Sequence, residues 1–199
     1  MRHLPIIALL ILGLGGCQKP TPPDPPSSQP ASPTQVDAKQ VEGTHMDFVL
    51  KSTTFDSGSP IPVGYTGDGA DISPRLSWEN VPVGAAELAL IVEDPDAPNG
   101  DFVHWVVYSI PPGMNSLDEG LPAAHKAERA TVMQGRNDFG QLGYKGPAPP
   151  AGKPHHYHFR LMALDRKLGL GPNADKAALR RAVQGHVMAE AELVGTYER

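Results

Sequence analysis

The stretch Phe102 to Ile110, FVHWVVYSI, limits the fold of this chain more than any other segment. Successive side chains of a strand point to opposite faces, and here both alternating sets are largely apolar. Phe102, His104, Val106, Tyr108 and Ile110 share one face, and Val103, Trp105 and Val107 share the other. Such a strand belongs in the middle of a sheet that is covered on both sides. Further candidate strands run over 47 to 54, 87 to 93 and 156 to 165, with weaker ones near 62 to 65 and 75 to 78. The chain's 21 glycines and 22 prolines supply the turns between them. Helical signals come late. Asn173 is placed to cap a helix running to about Gln184, Gly185 to end it, and 186 to 195 to form a second. The expected architecture is mainly β, a sandwich with short peripheral and C-terminal helices.

The N-terminal part has a different character. Residues 1 to 16, MRHLPIIALLILGLGG, carry Arg2 and then an apolar run that is short for a bilayer span, the pattern of a signal peptide. It ends in Leu14-Gly15-Gly16-Cys17, and Cys17 is the only cysteine of the chain. The quartet resembles a bacterial lipobox, which implies acylation of Cys17 by diacylglycerol and by a fatty acid such as palmitate. Several acyl chains exceed the limit of single-chain anchoring and would hold the protein on a membrane. Gln18 follows where an Asp would favour inner-membrane retention, so the expected location is the cell envelope, at the outer membrane facing the periplasm. Residues 17 to 44 form a Pro-rich tether, with prolines at 20, 22, 23, 25, 26, 30 and 33. The folded domain is expected over 45 to 199.

Charge removes one class of function. The formal net charge is -5, so no basic field is present for nucleic acid.

The polar residues at strand ends are the informative ones. The run 87 to 93 leads into Asp94-Pro95-Asp96-Ala97-Pro98, and an Asn99-Gly100 turn precedes the strand carrying His104. A hairpin there would bring Asp94, Asp96 and His104 to one end of the sheet. A calcium loop is the rival for DPDAPNGD, and it fails. Pro98 stands at its fifth position, glycine comes one residue late, and Trp105 stands where a bidentate Glu is required. A second group follows the stiff loop Gly146-Pro147-Ala148-Pro149-Pro150, in the stretch PHHYHF. Period-2 geometry puts His155 and Tyr157 on a face with Phe159, Leu161 and Ala163, and turns His156, His158 and Arg160 to the other. His156 and His158 have His-x-His spacing, but a zinc site lacks its third ligand and Arg160 repels a cation, so no metal is expected.

These segments resemble the phosphatidylethanolamine-binding protein family, in its bacterial Raf kinase inhibitor-like branch. The resemblance rests on DPDAP with HWVVYSIP, on GRNDFGQLGYKGPAPPAGKPHHYHFRLMALD, on GYTGDGADISPRLSW and on GHVMAEAELVGTYER, and it covers roughly 46 to 199. It implies a β-sandwich-like fold with a small anion pocket for phosphate-type groups, including a phospholipid head group in some members. Carried over residue by residue, the pocket would use Asp94, Asp96, Pro98, His104, Gly146, Pro149, His155 and Tyr157. Where members commonly have His-Arg-Tyr, this chain has His155-His156-Tyr157, and the middle residue points away from the pocket.

The leading expectation is therefore a membrane-tethered, non-enzymatic binding protein without a cofactor. Its partners would be a phosphate-type ligand or a phospholipid head group, with affinity rising as pH falls from about 8 to 6, because phosphate and histidine both take protons there. The competing reading is an inhibitor of an envelope protein such as a protease, and a second copy of the chain, in a homodimer, is a further candidate partner. A hydrolase reading is weaker: the chain has no Gly-x-Ser-x-Gly elbow, and Cys17 is committed to lipid.

Overall fold

A computed structural model describes residues 46 to 124 and 132 to 199. The signal peptide, Cys17 and the tether lie outside the described residues. The described chain is a β-sandwich of two antiparallel sheets. The smaller holds β1 (Val49–Ser52), β2 (Leu76–Glu79) and β5 (Ser116–Leu117) in the order β1-β2-β5. The larger holds β3 (Glu87–Asp94), β4 (Phe102–Ile110), β6 (Met133–Gln134), β7 (His155–Leu164) and β8 (Val187–Tyr197) in the order β6-β4-β3-β7-β8. One helix, α1 (Lys176–Val183), packs on the outer face of the larger sheet.

The apolar runs explain the layering. Every residue of β3 is buried, and β4 is buried from Val103 to Tyr108, as expected of strands covered on both faces. Between the sheets, Leu88, Leu90 and Val92 of β3 meet Trp105 of β4, Phe159 and Leu161 of β7, and Leu76 and Trp78 of β2. On the outer face Ala89, Ile91, Val106 and Tyr108 pack under Leu179 and Val183 of α1. These helix positions are four apart and so share one face.

Three expectations need correction. In place of the helix expected over 186 to 195, the chain is strand from Val187 onwards, and β8 pairs with β7 along its length. Its Met, Ala, Glu and Leu residues are good helix formers, but the alternation Glu190, Ala191, Glu192, Leu193 has period 2 and buries Ala191 and Leu193. The cap of α1 is Asp175, whose carboxylate accepts from the Ala178 N–H at 2.8 Å, while Asn173 sits two residues earlier with φ of 65°. Residues 63 to 65 form a 3-10 turn in place of a strand.

The faces of β4 also differ from simple alternation. Two register shifts against β3, one between Val92 and Glu93 and one between Leu88 and Leu90, each put an extra residue into β4. The first falls at His104, because Val92 pairs with Trp105 and Glu93 with Val103. The second falls beside Ser109, which has φ of 57° and donates its N–H to the buried Glu87 carboxylate. Val106 and Tyr108 consequently face α1, while Trp105, Val107 and Ile110 face the other sheet.

Candidate functional site

The bulge at His104 aims a polar side chain into the end of the sandwich. Its Nδ1 lies 2.7 Å from the Lys145 carbonyl oxygen, which can only accept, so Nδ1 carries the proton and Nε2 is left as an acceptor. Burial holds its pKa below the ordinary histidine value, against smaller opposing effects from the Lys145 carbonyl and the Asp94 charge. His104 is thus neutral at neutral pH.

Asp94 ends β3 beside it. Its Oδ1 accepts from the Asp96 N–H at 2.9 Å, closing the turn, and its Oδ2 accepts from His155 Nδ1 at 2.7 Å. Both partners of that pair are almost fully buried. The aspartate therefore orients His155, not His104, and leaves His155 Nε2 free of it.

Tyr157 lies two residues further on β7, on the same face. Its ring stands nearly perpendicular to that of His104, with centroids 5.1 Å apart. The Tyr157 hydroxyl is buried and has no hydrogen-bond partner of good geometry among the described residues. Burial, followed by the nearby Asp94 charge, pushes its pKa well above the ordinary tyrosine value, so it remains a donor throughout the physiological range.

These groups surround a cavity of about 150 Å³. Asp94, Pro98, His104, Pro149, His155 and Tyr157 all line it. Phe102 and Phe139 complete the wall, their ring centroids 4.8 Å apart and Phe139 41% exposed. Sequence reasoning missed both as site residues. For Phe102 a signal was present, since it lies two residues before His104; Phe139 sits in a loop where no periodicity marks it. No Lys or Arg lines the cavity among the described residues, and neither does Ser, Thr or Cys.

Asp96 and Gly146 stand behind the wall. Asp96 Oδ2 accepts from both the backbone N–H and Nδ1 of His156, at 2.9 and 2.7 Å, which ties the β3–β4 loop to the start of β7. The His156 hydrogen bonds hold the Asp96 carboxyl below the usual range. Gly146 packs so closely under residues 65 and 66 that a Cβ would lie 2.5 Å from the Tyr65 carbonyl oxygen. His158 points outwards, to Glu192 at 2.8 Å, and Glu192 also accepts from Arg160. No group of three or more potential metal ligands occurs among the described residues.

Comparison with known proteins agrees with this architecture. The family model described as phosphatidylethanolamine-binding protein matches residues 51 to 198. A UPF0098 protein of Methanothermobacter thermautotrophicus is 49% identical over 150 residues, covering 75% of this chain and 98% of its own. A Mycobacterium tuberculosis protein named "Putative lipoprotein LppC" is 39% identical over 198 residues, covering 95% of this chain and 92% of its own. Among solved structures, Escherichia coli YbcL, described as a member of the mammalian PEBP family, superposes with a TM-score of 0.72 at 32% identity, over 77% of this chain and 99% of its own. The chain belongs to the phosphatidylethanolamine-binding protein family.

Proposed function

We propose that the protein is a membrane-tethered, non-enzymatic binding protein whose cavity takes a phosphate-type group, free or as a phospholipid head group. The Tyr157 hydroxyl carries this reading. An unpaired buried donor costs about 1–3 kcal/mol, and an acceptor entering the cavity would remove that cost. The rest of the wall defines what the acceptor is. With a carboxylate present and no Lys or Arg, a bare dianion is disfavoured. A singly protonated phosphate fits better: its oxygens accept from Tyr157 and its own O–H donates to His104 Nε2. The apolar rim of Phe102, Phe139 and Pro149 suits the carbon portion of such a ligand.

Affinity then rises as pH falls from about 8 to 6, because the monoanion gains population there. Among the described residues the wall has no Ser, Thr, Cys or Lys, and both oxygens of Asp94 are already engaged by the Asp96 N–H and His155, which supports binding over turnover. Tethering rests on the lipobox-like Leu14-Gly15-Gly16-Cys17 and on the match to the named lipoprotein, which at 95% of the chain reaches well into the N-terminal segment. Intact mass measurement of membrane-extracted protein should show acyl mass on a chain starting at Cys17. Calorimetric titration with inorganic phosphate and phosphoethanolamine, and sedimentation with phosphatidylethanolamine vesicles, separates free from lipid-borne ligands. Flat phosphate affinity between pH 8 and 6 would sink the protonated-ligand scheme.

A further inference from the structure

Residues 65 to 71 form a strap outside both sheets, laid against the loop that follows Tyr144. Three hydrogen bonds fasten it. Tyr144 Oη donates to the Tyr65 carbonyl at 2.7 Å, the Gly67 N–H donates to the Pro147 carbonyl at 2.8 Å, and the Gly146 N–H donates to Asp71 Oδ1 at 2.7 Å. Asp71 Oδ2 also meets Lys145 Nζ. To reach both groups Asp71 adopts φ of 58°, the left-handed region that non-glycine residues other than Asn and Asp rarely enter.

The Gly146 N–H and the Lys145 carbonyl belong to one peptide group. Its N–H end is held by Asp71, and its C=O end accepts from His104 Nδ1. The backbone of Lys145 is tied to His104 a second time, through its own N–H to the His104 carbonyl at 3.0 Å. A carboxylate thus reaches an imidazole through a single planar, polarisable peptide. Hydrogen bonds in such a chain strengthen one another, so a negative charge at the N–H end makes the carbonyl a better acceptor.

We propose that Asp71, on a strap remote in sequence from the cavity, is a positioning residue that acts through the Lys145–Gly146 peptide to hold His104 in the tautomer with Nδ1 protonated and Nε2 open. The consequence for ligand binding rests on the phosphate reading given above, whereas the tautomer itself does not. Lys145 balances the Asp71 charge, which keeps the carboxylate compatible with its partly buried position. The strap is also anchored at its middle by Asp68, which receives Tyr197 Oη at 2.9 Å and two bonds from Arg199 at 2.7 and 2.6 Å.

The test is long-range proton–nitrogen correlation spectroscopy on the ¹⁵N-labelled full chain near neutral pH. In the wild type, His104 should show a protonated Nδ1 and an unprotonated Nε2. In Asp71→Ala the tautomer with protonated Nε2 should appear, and in Asp71→Asn, which keeps an acceptor but loses the charge, an intermediate population. Inorganic phosphate affinity should fall by about tenfold in the alanine variant, one ordinary hydrogen bond's worth. Protonated Nε2 in the wild type, or His104 signals unchanged in the variants, overturns the proposal. If Asp71→Ala does not fold, the wild-type tautomer and Asp71→Asn decide alone. A wild type with the stated tautomer but no phosphate binding leaves the relay standing and removes the phosphate reading.

Discussion

Glu93 and Asp94 are neighbours on β3, both carboxylates are almost fully buried, and they face opposite sides of the sheet with opposite consequences. Glu93, on the outer face, meets Arg180 at 2.5 Å through one oxygen and Arg160 at 3.4 Å through the other. Arg160 continues to Glu192 at 2.9 Å and Arg180 to Asp101 at 3.1 Å, so charge there is balanced by groups that cannot lose their protons. Asp94, on the inner face, has a histidine in place of an arginine and a cavity in place of a helix. Its surroundings contain two imidazoles and one hydroxyl, that of Tyr157, without a hydrogen-bond partner of good geometry among the described residues. Burial alone therefore does not mark a functional carboxylate. What distinguishes the two is whether the hydrogen-bonding capacity around each is used up.

This contrast can be broken or sharpened by experiment. The largest effect is expected from His155→Ala, which strips the buried Asp94 carboxylate of its partner and the cavity wall of an imidazole. Phosphate affinity should drop by about 30- to 100-fold in calorimetry, the range for hydrogen bonds involving charge. Undiminished affinity would mean that the cavity end of β3 is as inert as the outer end.

Glu93→Ala should do the reverse, lowering stability in urea by about 1–3 kcal/mol while leaving phosphate affinity unchanged. The cost is below that of stranding a fully buried charge because Arg160 and Arg180 both reach water. A change in affinity larger than that in stability would couple the two faces and dissolve the distinction.

Tyr157→Phe should move stability and binding in opposite directions. Removing an unpaired buried hydroxyl is expected to stabilise the free protein by about 1 kcal/mol and to weaken phosphate binding by about tenfold. If stability falls instead, the hydroxyl already has a partner in the free protein.

The smallest effect concerns pH. His104 has a folded pKa below its unfolded value, so the unfolded chain takes up a proton first as pH drops. Its contribution is fully present above about pH 6.5 and is lost as pH falls from there towards the folded pKa, by no more than about 1.4 kcal/mol per pH unit. The loss should be visible as a stability difference from His104→Asn, whose amide can still donate to the Lys145 carbonyl. Parallel pH profiles for the two proteins would place a charged His104 in the folded state.

Much of the frame was legible from pattern because burial on one or two faces writes itself into period 2. FVHWVVYSI matches β4 residue for residue, and the division of PHHYHF into buried His155 and Tyr157 and outward His156 and His158 follows from alternation alone. Motif resemblance pointed to eight residues, of which Asp94, Pro98, His104, Pro149, His155 and Tyr157 line one cavity while Asp96 and Gly146 do not. Where the reading failed, a local rule was outvoted. Propensity favoured a helix over 186 to 195, but pairing with the long strand β7 satisfied the backbone and buried every second residue.

The order of apolar and polar residues by itself determined the sandwich, the central strands and the end of the sheet at which polar groups collect, since these depend on periodicity along one segment. It did not determine the two bulges in β4, the closeness of Gly146 to Tyr65, the entry of Phe139 into the cavity wall or the reach of Asp71 to the peptide behind His104. The bulges arise in the pairing of β4 with β3, and the other three join segments far apart in the chain; a contact between strands or across such a distance leaves no period to read. Hence the family resemblance could gather six residues that line one cavity, while the hydrogen bond that sets the tautomer of His104 and the isolation of the Tyr157 hydroxyl came only with the folded geometry.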